Sequence, residues 1–104
     1  MQPAEENDLI SATDPKTIEI ESTYNGYHLT FPLDASQLPK LVEEFREKRT
    51  LHAKYILTIL HETRKLLKGM GSWNHVPMGN MPFVTVCGDI HGQMEDLLLI
   101  FYKV

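Results

Sequence analysis

Apolar residues are sparse at the start of the chain and then fall into periodic runs. Residues 1–22 are mostly Glu, Asp, Ser, Thr and Pro. So little apolar area cannot offset the entropy of ordering, which predicts a mobile acidic leader over 1–22. At its end Ile18 and Ile20 alternate with Glu19 and Glu21, followed by Tyr24-Asn25-Gly26-Tyr27 and then Leu29 and Phe31. Asn-Gly between alternating residues signals a hairpin, because both turn positions favour positive φ. Pro32 cuts the second arm short, and an isolated hairpin is marginal in water. The pattern therefore admits a hairpin or an irregular extended segment equally.

Beyond this point the period is helical. Residues 35–49 predict a first helix, with Asp34 or Ser36 as cap, Gln37 as capping-box partner and Pro39 in the first turn. Leu38, Leu41, Val42 and Phe45 form its stripe. Residues 50–68 predict a longer helix capped by Thr50, with Leu51, Tyr55, Ile56, Ile59, Leu60, Thr63, Leu66 and Leu67 at helical spacing. Gly69 and Gly71 stop it. Core packing is the straightforward meaning of this stripe. A Gly- and Pro-broken linker follows over 69–82. Phe83-Val84-Thr85-Val86-Cys87 then lacks polar alternation and predicts a strand buried on both faces. After a loop at 88–92, Gln93 to Tyr102 predicts a last helix, with Met94, Leu97, Leu98 and Phe101 on one face. The organisation is thus a leader (1–22), an extended segment with two helices and a linker (23–82), and a strand-loop-helix unit (83–104).

Length and charge narrow the function. The 104 residues suffice for one small domain. With 10 basic residues against 14 acidic, net charge is −4. That excludes a strongly basic nucleic-acid binder and a polybasic membrane-surface segment. The single cysteine, Cys87, allows no intrachain disulfide or CxxC metal motif and fits a reducing compartment. No apolar run approaches the roughly 20 residues of a membrane span, and the N-terminus has no signal-peptide core. The expected location is cytoplasmic, with the nucleus admitted.

The chemistry concentrates in Gly88-Asp89-Ile90-His91-Gly92. Strand ends in open α/β sheets carry functional groups, and residues two apart in extended backbone project to one side. Asp89 and His91 can therefore share one cation. A hard carboxylate with a borderline imidazole suits Mn, Fe or Zn better than Ca or Mg alone. Gly88 and Gly92 remove side chains where the backbone bends or an oxyanion approaches. The competing interpretation is an ordinary turn with Asp89 capping the next helix. The four fixed positions recur by chance in well under about 1% of chains this long, which favours ligation. His28, His52, His61 and His75 have no partner at ligand spacing; His52 and His61 read as helix-surface or boundary residues. Cys87 reads as a small buried apolar group rather than a nucleophile.

The stretch from Val84 to Gln93, continuing to Asp96-Leu97-Leu98, resembles the PPP family of metal-dependent protein serine/threonine phosphatases. Upstream, Tyr24-Asn25-Gly26, residues 41–45 and residues 51–57 resemble the lead-in of its EF-hand and tetratricopeptide-repeat members. The wording at 29–33 and 98–103 points to the EF-hand type. The resemblance implies an α/β (α+β) metallophosphatase fold, here truncated: a helical cap followed by the first strand-loop-helix of the catalytic sheet, mostly helical as it stands. It implies that Asp89 and His91 ligate part of a binuclear centre of Mn, Fe or Zn, whose activated water hydrolyses phosphoserine or phosphothreonine of a phosphoprotein. It also implies calmodulin as a partner of a longer parent and Ca²⁺ through EF-hands, whose segments are not within these residues. The family's later motifs, Gly-Asp-x-x-Asp-Arg-Gly and Gly-Asn-His-Glu, are not within them either. The chain is accordingly expected to be a fragment, inactive alone and weak in metal binding. Two rivals stand beside this: a metallophosphoesterase of nucleotides, and a non-catalytic interaction module docking through Leu51, Tyr55, Ile59 and Leu66.

Overall fold

The computed structural model describes residues 2–103. Four α-helices carry the architecture: α1 (Pro3–Ala12), α2 (Leu38–Arg46), α3 (Ala53–Lys68) and α4 (Met94–Lys103), with 3-10 turns at Pro15–Thr17 and Ala35–Gln37. No strand occurs among the described residues. The α/β (α+β) metallophosphatase fold expected from the sequence is thereby corrected to a helical one.

The correction is sharpest at residues 83–87. They are extended but unpaired, and Val86 is 87% exposed where burial on both faces was expected. Cys87 is likewise exposed rather than buried. A helix closes its hydrogen bonds within itself, whereas a strand needs a neighbour for every other N–H and C=O. Among the described residues no neighbour lies alongside, so water covers this backbone instead.

Helix α2 spans its apolar stripe but is shorter than the expected 35–49, and its ends explain why. Asp34 supplies the leading cap: its carboxylate accepts the Ser36 N–H (2.9 Å) and the Ser36 hydroxyl, which holds the carboxyl below its usual range. Gln37 does not close a capping box. Its side-chain amide instead accepts from the Thr30 N–H (3.0 Å) and donates to the Thr30 carbonyl (3.1 Å), standing in for a strand partner. At the other end Lys48 takes a left-handed conformation (φ 60°), its N–H bonds the Phe45 carbonyl (3.0 Å), and the Arg49 N–H bonds the Glu44 carbonyl (2.9 Å). Those paired bonds are a Schellman stop with Lys where Gly is usual.

The core is small. Leu29, Leu41, Leu51 and Tyr55 are buried, and Ile20, Tyr24, Tyr27, Leu33, Phe45 and Ile59 pack against them. Each buried side chain contributes roughly 1.5–3 kcal/mol. The extended alternative for residues 18–33 is the one observed. There the Tyr24 hydroxyl donates to the Tyr27 carbonyl (2.8 Å), and the irregular segment supplies one wall of the core. The Tyr55 hydroxyl reaches His28 Nδ1 at 2.6 Å, and burial raises its pKa. Glu44 is buried too, yet answered: Arg49 bonds both carboxylate oxygens (2.8 and 3.3 Å) and Lys40 stands 3.4 Å away.

Helix α3 starts at Ala53, not Thr50, because His52 is its cap: the ring Nδ1 accepts the Lys54 N–H (3.1 Å). Gly69 follows its last residue. Of the four residues a docking face would need exposed, Leu51 and Tyr55 are buried, Ile59 packs on them, and only Leu66 lies open.

Where composition led to a mobile leader, the structure has α1 and a 3-10 turn tied to α3. Pro3 occupies the first turn of α1, and Glu5 and Glu6 sit where the helix dipole favours acid. Glu6 pairs with Arg64 and with Lys68 (3.3 Å). The Lys54 ammonium donates to the Pro15 and Ile18 carbonyls (2.8 Å each), and His61 Nε2 meets the Thr13 carbonyl and hydroxyl (3.0 Å each).

Candidate functional site

Residues 88–92 form a tight turn rather than a strand end. His91 (φ 53°) and Gly92 (φ 73°) both adopt the left-handed region, and the Gln93 N–H returns to the Ile90 carbonyl at 3.1 Å. The Gln93 carbonyl then accepts the Leu97 N–H (3.2 Å), starting α4. Gly92 is the position where φ requires glycine or strain. Gly88 carries no such demand, and a Cβ there would meet open space.

This turn brings Asp89 and His91 together: Oδ2 and Nε2 lie 3.5 Å apart, with side chains 89% and 80% exposed. Two donors about 2.1 Å from one ion, at tetrahedral to octahedral angles, stand roughly 3.0–3.4 Å apart. At 3.5 Å the two atoms stand just beyond that range, in direct His–Asp contact, and would close by about a tenth of an ångström or more to share a cation. No cluster of three or more His, Cys, Asp or Glu suited to a metal occurs among the described residues.

His52 and His61, read from sequence as helix-surface or boundary residues, each bridge to the N-terminal segment, and His52 stands at the helix boundary as its cap. His52 Nε2 bonds Glu21 Oε2 (2.9 Å), and this bond holds the Glu21 carboxyl below its usual range. No local pattern marks such contacts, since the partners lie 31 and 48 residues apart. A cleft of about 350 Å³ between α1 and α3 is lined by Leu9, Ile10, Leu57 and Leu60, with Glu6 and Arg64 at its edge. No described helix is long and apolar enough to cross a membrane.

A largely helical chain with one exposed Asp-x-His turn is the pattern that comparison with known proteins places. The sequence model described as the PPP5 TPR repeat region matches residues 1–73. The chain belongs to this family of PPP-type serine/threonine phosphatases, on its EF-hand side. It is 45% identical over 87 residues to human serine/threonine-protein phosphatase with EF-hands 1, covering 84% of this chain and 13% of that protein. It is 42% identical over 100 residues to human serine/threonine-protein phosphatase with EF-hands 2, covering 96% and 13%. The phosphatase rdgC of Drosophila melanogaster is 38% identical over 77 residues, covering 72% and 12%. The chain thus spans about an eighth of the length of these curated relatives. No solved structure matches. A TPR-type region over 1–73 agrees with helices there and gives a second reason to set the α/β reading aside. An alignment covering 96% of the chain leaves out only four residues, so the turn at 88–92 lies inside the stretch shared with the EF-hands 2 protein.

Proposed function

We propose that this chain contributes a metal-ligand pair, Asp89 and His91, to a protein serine/threonine phosphatase that hydrolyses phosphoserine and phosphothreonine. The carrying observation is the 3.5 Å approach of Oδ2 and Nε2, in a turn that falls within the region shared with a phosphatase bearing EF-hands. A binuclear centre of Mn, Fe or Zn would supply activated water and neutralise phosphate oxygens. Asp89 brings the anionic oxygen and His91 the neutral nitrogen, while Gly92 keeps the bend between them and α4 free of a side chain. Two ligands fall short of the three usual for even one catalytic zinc. These 104 residues by themselves therefore bind metal weakly and do not turn over phosphoprotein. The helices before the turn serve protein contact, as surfaces of helical repeats do.

The test is a chimera in which this chain replaces the aligned segment of the human EF-hands 2 protein. Mn²⁺-dependent phosphopeptide hydrolysis is expected, and Asp89→Asn or His91→Asn should each lower it by about 100-fold or more. Undiminished turnover in both variants would remove the ligand assignment. Tight stoichiometric Mn²⁺ binding by the 104 residues alone, read by equilibrium dialysis, would show that no further ligands are needed and would equally defeat the reading.

A further inference from the structure

We propose that His52 is an acid-sensitive cap: uncharged, its ring closes the start of α3 while bonding Glu21, and protonation breaks the cap. Nδ1 of His52 accepts from the Lys54 backbone N–H at 3.1 Å, and a peptide N–H can only donate. Nδ1 must therefore be bare, which leaves the ring proton on Nε2, where it is donated to Glu21 Oε2 at 2.9 Å. One tautomer satisfies both bonds, and the doubly protonated ring satisfies one. A proton on Nδ1 would put two donors face to face at the positive end of a helix.

The other histidines carry no such conflict. His61 Nε2 already donates, since the Thr13 carbonyl can only accept. His28 meets the Tyr55 hydroxyl, which can either give or take a hydrogen. His91 faces the Asp89 carboxylate, which donates no hydrogen to it.

The groups facing His52 decide the balance. Protonation would strengthen its bond to Glu21, but Glu21 is 58% exposed and water screens that gain. The His52 ring is only 11% exposed, so the lost cap is not made good by solvent. Its remaining neighbours are the rings of Tyr24 (5.3 Å, edge-on) and Tyr55 (6.5 Å), whose hydroxyls are engaged elsewhere, with the Tyr27 carbonyl and with His28. The Lys54 ammonium is engaged by the Pro15 and Ile18 carbonyls and adds positive charge nearby. Turning the ring to escape the clash breaks the cap and the Glu21 bond together, while Lys54 and the packing of Ile20 and Tyr24 still hold the segment beside α3.

The experiment compares the full chain with His52→Asn, a neutral cap that keeps the Lys54 bond. Helix content and thermal midpoint are followed by circular dichroism at about pH 7.5 and about pH 5.0, a span in which histidines titrate and carboxylates stay charged. The unchanged chain should lose roughly 4–8 °C more than His52→Asn on acidification, and His61→Gln should behave like the unchanged chain. Parallel losses in the chain and His52→Asn would overturn the acid-sensitive cap. A second measurement holds if the variant folds poorly. Ring ¹⁵N shifts in the unchanged chain should report a proton on Nε2 at neutral pH, with the Lys54 amide resonance moving as Nδ1 protonates. A proton on Nδ1 at neutral pH, or a Lys54 amide indifferent to the titration, would equally sink it.

Discussion

Replacing Lys48 by glycine should stabilise this chain, although it removes a charge and every side-chain contact at that position. Lys48 holds φ at 60° to end α2, with the two return bonds to Phe45 and Glu44 fixing it there. A side chain in the left-handed region costs roughly 1–2 kcal/mol, because Cβ crowds the following carbonyl. Glycine escapes that cost but gives the unfolded chain extra freedom worth about 0.4–1 kcal/mol. The difference is a net gain of about 0.5–1 kcal/mol, which in a domain of this size corresponds to a midpoint rise of roughly 2–8 °C. Urea titration at neutral pH measures it, with Lys48→Ala as the control that removes the charge and keeps Cβ. If Lys48→Gly proves no more stable than Lys48→Ala, backbone conformation is not what limits this stop, and the argument fails.

Three other substitutions probe separate features. Leu41→Ala empties part of a core with four buried apolar side chains among the described residues, and a loss of about 2–5 kcal/mol should lower the thermal midpoint of helical circular dichroism by about 10 °C or more. Glu44→Gln removes the carboxylate that Arg49, with Lys40, keeps below the usual glutamate range. A lowered folded pKa stabilises above the unfolded value near about 4.3 and ceases to as pH falls through the folded one. In urea melts the unchanged chain should therefore exceed the Glu44→Gln variant in stability by its full margin at about pH 6, and the margin should shrink below about pH 4; a constant gap would deny the linkage. Gly92→Ala forces a Cβ into φ 73° and should cost about 1–2 kcal/mol locally, read as faster amide exchange at Gln93 without change in α3.

Much of the helical frame can be read from the sequence because its causes are local. The apolar period of α2 and α3, the Asp34 cap and the stop before Gly69 each depend on residues within a turn or two of one another. Asp89 and His91, expected on one side of extended backbone, do approach to 3.5 Å, but across a left-handed bend at His91 that their spacing did not indicate. The misreadings begin where the cause is distant. Nothing in Pro3–Ala12 has a pronounced apolar face, and what ties it down is Glu6 meeting Arg64 and Lys68, which stand 58 and 62 positions later. His52 as a cap eluded the usual Ser, Thr, Asp and Asn signal and displaced the start of α3 from Thr50, two residues earlier.

The same division explains why residues 83–87 mislead while the turn after them does not. Phe-Val-Thr-Val-Cys has the β-branched, uncharged composition of an inner strand, and composition reports only what a segment would do if flanked. Flanking is a property of other segments, and none among the described residues provides it. The turn at 88–92 needs no flank: Gly92 and the Ile90-to-Gln93 bond set its shape from within. That turn places the Asp89 and His91 backbones whether or not residues 83–87 are paired, while the rotamers of their side chains, 89% and 80% exposed, set the 3.5 Å between Oδ2 and Nε2. Asp89→Asn and His91→Asn in the chimera therefore probe ligation itself, independently of how residues 83–87 lie.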